Sequence, residues 1–119
     1  MGRILLVDDN PSVLETLSTY LRLMGHEITT AANGGEALVQ LDSASFDVLI
    51  TDCRMPVLTG IQLLQHLRSR GVATPAIMVS GTWTPEERKQ ARDLGAVLFN
   101  KGAMDLGELA AEVARLGGA

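Results

Sequence analysis

The 119 residues include 14 acidic and 10 basic side chains, a net charge of −4, and no Lys or Arg cluster of the kind that tracks a phosphate backbone, which argues against direct nucleic-acid binding. A chain of this length makes one domain that buries about two thirds of its unfolded surface, and with 46% hydrophobic, 20% charged and only 3% aromatic residues it reads as globular with an aliphatic core. One cysteine excludes an internal disulfide, and no apolar run approaches signal-peptide or membrane-span length, so a cytoplasmic location without membrane insertion is expected.

Residues 4–7, Ile-Leu-Leu-Val, lack polar alternation, the pattern of a strand buried on both faces, and end on Asp8-Asp9. Asn10 and Pro11 supply a cap and a first-turn proline for a helix whose apolar residues Val13, Leu14, Leu17, Leu21 and Met24 run to Gly25. Residues 26–30 form a more polar strand suited to a sheet edge. Asn33, with Glu36 three residues on, caps a second helix bearing Ala37, Leu38 and Leu41. Residues 46–51 return to the interior as an apolar strand that stops on Asp52.

After Cys53-Arg54-Met55-Pro56 the chain turns, and Thr59 caps a third helix carrying Ile61, Leu64 and Leu67 and ending at Gly71. Pro75 suits the start of a strand over residues 76–79 that delivers Ser80. Thr84-Pro85-Glu86-Glu87 combines cap, first-turn proline and box glutamate, but the helix it opens offers only Ala91 and Leu94 as apolar contacts and should be weakly anchored. Residues 96–99 make a last strand leading through Asn100 to Lys101, and Asp105 and Glu108 start a final helix with the stripe Leu106, Leu109, Ala110, Val113 and Leu116. Gly117-Gly118-Ala119 reads as the beginning of a linker.

Strict alternation of strand and helix predicts a doubly wound α/β fold, a five-stranded parallel sheet of flavodoxin-like (βα)5 type in the order 2-1-3-4-5, filling residues 1–119 as a single domain. That order puts Asp8, Asp9, Asp52, Ser80 and Lys101 on one sheet edge. Carboxylates gathered there repel one another, each close pair by about 4 kcal/mol at an intermediate dielectric. A divalent cation that prefers oxygen, Mg²⁺, offsets the repulsion, with Lys101 as a second positive charge. An ionised Asp52 is a competent nucleophile toward phosphorus, and Ser80 brings a hydroxyl that can donate to a phosphoryl oxygen.

Asp8-Asp9 after the first strand, Asp52 followed by Met55-Pro56 and Gly60, Ser80-Gly81, Gly95-Ala96 and Lys101 together resemble the receiver domain of two-component response regulators across essentially the whole chain. The resemblance implies that Asp52 accepts phosphoryl from a histidine on a sensor kinase or phosphotransfer protein. It also implies Mg²⁺ on Asp9, Asp52 and the Arg54 backbone carbonyl, with Asp8 acting mainly through water, and phosphoryl contacts from Ser80 and Lys101. Arg54 and Thr82 match positions that tune phosphoryl lifetime, and the downstream partner is an effector protein or attached output domain. The face built from the fourth helix, fifth strand and fifth helix is where a homodimer would form.

Two features depart from that pattern. Gly102 follows Lys101 where receivers carry proline with a cis peptide, so Lys101 is expected to be less rigidly aimed; and Leu98 stands at the switch aromatic's place, three residues before the lysine. Phe99, one residue later, points to the opposite face of a strand and cannot simply substitute, so coupling of phosphorylation to the output face is expected to run through Leu98 or to be weak. These departures leave open a pseudo-receiver that binds partners without phosphorylation. Two enzymic or redox readings fit worse. A flavodoxin-like electron carrier would bring its phosphate against the acidic Asp8-Asp9-Asn10-Pro11-Ser12 turn, and an aspartate-nucleophile phosphatase lacks a general acid where Arg54 stands. Cys53 reads as an inert small hydrophobe, His26 and His66 as structural, and Trp83 as cover for the base of the fourth helix.

Overall fold

Aliphatic and β-branched runs set the strands, and side-chain caps set where the helices begin. The computed structural model describes residues 2–55 and 57–117, so Pro56 of the expected turn and the Gly118-Ala119 end of the expected linker lie outside the described residues. The strands are β1 (Arg3–Val7), β2 (Glu27–Ala31), β3 (Val48–Asp52), β4 (Ala76–Ser80) and β5 (Val97–Asn100). The helices are α1 (Pro11–Leu23), α2 (Gly34–Ser43), α3 (Gly60–Ser69), α4 (Pro85–Asp93) and α5 (Leu106–Leu116). A short 3-10 turn over Lys101–Ala103, which the sequence pattern does not announce, follows β5 directly.

Each expected cap forms: the side chains of Asn10, Asn33, Thr59, Thr84 and Asp105 accept main-chain N–H groups of the first turns of α1 to α5, and Thr59 with Gln62 and Thr84 with Glu87 close full capping boxes. Strand limits shift slightly. His26 and Ala96 fall outside β2 and β5 because their N–H groups return to Leu21 and Ala91 of the preceding helices, and Asp52 and Ser80 are the last residues of β3 and β4.

All pairings are parallel, in the order β2-β1-β3-β4-β5. Alternate strand residues feed two cores. Ile4, Leu6, Val48, Ile50, Ile77 and Val79 pack with Leu17 and Leu21 of α1 and Leu109 and Val113 of α5. Leu5, Val7, Leu49, Ala76 and Met78 pack with Ala37 of α2, Leu63, Leu64 and Leu67 of α3 and Ala91 of α4. The chain reverses its direction of growth across the sheet between β1 and β3, which opens a cleft at their carboxyl ends, the usual ligand position in such sheets. Among the described residues no helix is long and apolar enough to cross a membrane.

Candidate functional site

The cleft is built from strand ends. Asp8 follows β1, held in place as its N–H donates to the Ala31 carbonyl at 3.2 Å, and Asp52 closes β3, where the next amide, of Cys53, donates to Val79 at 2.7 Å. Lys101 enters from the first residue after β5. One carboxylate oxygen from each of Asp8, Asp9 and Asp52 lies within 4.8 Å of the other two, with Asp8 and Asp52 buried and Asp9 exposed.

Lys101 bridges the two buried acids, its Nζ at 3.0 Å from Asp8 Oδ2 and 3.1 Å from Asp52 Oδ2. The remaining oxygens take main-chain donors two residues on: Asn10 N–H to Asp8 Oδ1 at 2.9 Å and Arg54 N–H to Asp52 Oδ1 at 3.3 Å. Gly102 takes part in a local cap the sequence reading passed over: Asn100 Oδ1 accepts its N–H at 3.0 Å, and the chain winds into the 3-10 turn that starts at Lys101.

Burial lifts the Asp52 carboxyl above its usual value; the Lys101 hydrogen bond opposes this, while the Asp8 charge adds to it. For Lys101 burial acts downward, but the bonds to Asp8 and Asp52 and their charges outweigh it, and the ammonium titrates higher than usual. Cys53, adjacent to Asp52 and buried, has its thiol pushed up to about 11, first by burial, then by the Glu87 charge, so it stays protonated and unreactive as its sequence reading held.

Ser80 is fully buried at the end of β4, and its hydroxyl is engaged locally: Oγ donates to the Thr82 carbonyl at 2.8 Å and accepts the Thr82 N–H at 3.2 Å. Arg54 is no free surface charge. One of its guanidinium nitrogens, Nη2, donates to the Thr82 carbonyl at 3.1 Å and to Glu87 Oε1 at 2.8 Å. Trp83 donates Nε1–H to the Phe99 carbonyl at 3.0 Å, tying the loop after β4 to β5. Leu98 and Trp83 both pack on the core beneath α2, α3 and α4, whereas Phe99 packs on the α1 and α5 side, as the strand alternation requires.

Residues 4–114 match the family model of the response regulator receiver domain. The chain belongs to that family. The receiver domain is 34% identical over 114 residues to the transcriptional regulatory protein PrrA of Mycobacterium leprae, covering 96% of this chain and 49% of that one. It superposes on a Francisella response regulator receiver domain with a TM-score of 0.93 at 28% identity, over 99% of this chain and 98% of the other. It also superposes on the response regulator TrrA of Thermotoga maritima, solved in complex with Mg²⁺ and BeF, with a TM-score of 0.83 at 31% identity, over 98% and 99% of the two chains. It spans half or less of the length of the first curated relatives it matches. The sheet order and the family expected from the residues are both borne out, and the chain is a signal-transduction module of the two-component type.

Sequence reasoning missed Glu87 as part of this neighbourhood. The capping box accounted for it fully, and nothing in the sequence couples it to a residue 33 positions earlier. It also missed the bond from Trp83 to Phe99, since main-chain acceptors leave no trace in side-chain pattern.

Proposed function

We propose that this receiver domain is phosphorylated on Asp52 by a phosphohistidine of a sensor histidine kinase or histidine phosphotransfer protein, in a Mg²⁺-dependent step that alters binding to an effector protein or output domain. The observation that carries the reading is Lys101 Nζ set between Asp8 and Asp52, with Asp9 completing an all-oxygen cluster at the carboxyl ends of β1 and β3. Oxygen donors with one exposed member suit a hard cation that keeps part of its water shell, and Asp9, Asp52 and the Arg54 carbonyl would hold it with Asp8 acting through water. Bound there, Mg²⁺ supplies charge neutralisation for the acids and for a phosphoryl group. The TrrA complex with Mg²⁺ and BeF supports the assignment.

The protein's own part is positioning. An Asp52 oxygen bonds to phosphorus as the P–N bond to the donor imidazole breaks, leaving the imidazole nitrogen with its electron pair. Lys101 balances the charge that arrives, and Ser80 reaches a phosphoryl oxygen by turning its hydroxyl away from Thr82. Thr82 and Arg54 flank that position and set how long the group persists, and Leu98, paired with Met78 two residues before Ser80, lies on the core side where packing can respond. A cytoplasmic setting follows from the donor chemistry, and the face of α4, β5 and α5 is where a second copy or an effector would dock.

The test is incubation with Mg²⁺ and acetyl phosphate followed by intact mass. Wild type gains one phosphoryl group and Asp52→Asn gains none; an unmodified wild type overturns the reading.

A further inference from the structure

Beside three carboxylates, the cation nearest in sequence to Asp52 is turned elsewhere. Arg54 donates its own N–H to Asp52, yet its guanidinium is spent on the Thr82 carbonyl and on Glu87. Glu87 cannot follow Arg54 freely, because the oxygen that takes the guanidinium, Oε1, also accepts the Thr84 N–H at 3.0 Å and so starts α4. Side-chain exposures of 53% for Arg54 and 21% for Glu87 make this a contact that water and competing anions can contest.

We propose that Glu87 is a positioning residue that holds Arg54 off the acceptor and thereby shortens the life of a phosphoryl group on Asp52; the inference rests on the acceptor reading given above. Phosphorylation replaces the single charge of the Asp52 carboxylate by the roughly −1.5 to −2 of a phosphoryl group, carried on oxygens that reach further into the cleft, so the phosphoryl oxygens and the Glu87 carboxylate become rivals for one guanidinium. Hydrolysis requires a water oxygen to bond to phosphorus while the bond from phosphorus to the Asp52 oxygen breaks, releasing inorganic phosphate and the free carboxylate, with the water's proton passing to phosphate or solvent. Arg54 laid over the phosphoryl group obstructs that water. Arg54 kept by Glu87 leaves it access.

The competition also has an optical reporter. Thr82 takes donors from both Ser80 and Arg54, and the next residue, Trp83, is the only tryptophan of the chain and is bonded to β5. Release of Arg54 therefore removes one of two anchors of the Thr82 carbonyl and changes the setting of Trp83.

The experiment follows the decay of the acetyl-phosphate adduct by intact mass in the full chain, for wild type, Glu87→Gln, Arg54→Ala and the double variant. The Glu87→Gln side chain retains an oxygen for the Thr84 N–H, and an unchanged melting temperature checks that α4 is intact. The expected result is a half-life lengthened roughly threefold or more in E87Q, with no added effect of E87Q in the R54A background. Titration of Trp83 emission with beryllofluoride and Mg²⁺ should reach its midpoint at lower concentration in E87Q than in wild type, again only where Arg54 is present. An unchanged or shortened half-life in E87Q, or an equal effect with and without Arg54, overturns the inference while leaving the acceptor reading intact. Absence of any adduct on wild type overturns both.

Discussion

Gly60 shows how closely the acceptor strand is confined. A Cβ built there would lie 2.3 Å from the Asp52 carbonyl oxygen and 3.1 Å from the Cys53 Cα, main-chain atoms with no rotamer to yield. Gly60→Ala should therefore cost about 2 kcal/mol or more in denaturant unfolding and displace the end of β3. At Val57 the strain is in the native chain instead. This β-branched residue sits at φ 71° with its side chain fully in solvent, so nothing it touches repays the left-handed backbone. Val57→Asn should stabilise the fold by about 0.5–1 kcal/mol, read from the shift in denaturation midpoint at constant slope. Asp52 carries the third residue-scale cost. Its folded pKa is raised, chiefly by burial, so the neutral carboxyl suits the fold better than the carboxylate. The stability this gives is full below the ordinary carboxyl range and is lost as pH rises through the raised value. Without divalent cation, Asp52→Asn should thus melt higher than wild type at neutral pH, and the advantage should vanish on acidification below about pH 4.

Among the elements, α4 stands apart. It buries only Ala91, and its ends are held by polar contacts: the Thr84 and Glu87 box at one end and, at the other, Arg68 Nε donating to the Leu94 carbonyl at 2.9 Å. Helices anchored mainly by caps open at low free energy. Its amides should exchange faster than those of α3, which buries Ile61, Leu63, Leu64 and Leu67, and Thr84→Ala should cost about 1 kcal/mol while accelerating exchange in α4 first. This weakness was readable in advance because it is a matter of missing apolar spacing, as were the five caps, whose chemistry is local. The Leu98 and Phe99 assignment to opposite cores was readable too, since alternation in a strand is geometric. The turn at Lys101 and the grip of Glu87 on Arg54 were not. One is set by a single asparagine side chain at the end of a strand, the other by the loop after β3 and the first turn of α4, which meet only once the sheet is formed.

At the level of the molecule, the sheet order that covers β1 and β3 on both faces also converges their terminal acids, so folding concentrates negative charge where β1, β3 and β5 end. Lys101 offsets only part of it, since one ammonium is shared by two buried carboxylates and Asp9 lies beside them. The unfolded chain keeps Asp52 far from the Asp8-Asp9 pair, which makes the three-carboxylate cluster a property of the native state alone, and any cation that the native cluster binds must raise stability by linkage. Mg²⁺ should raise the melting temperature of wild type, with each tenfold increase beyond the dissociation constant adding about 1.4 kcal/mol, roughly 3–6 °C for a domain of this size. NaCl at matched ionic strength should not reproduce the effect, because screening acts weakly on buried pairs. In Asp52→Asn the starting stability should be higher and the Mg²⁺ increment smaller, for one substitution removes both the repulsion and a ligand. Equal Mg²⁺ increments in the two proteins would place the cation elsewhere on the molecule.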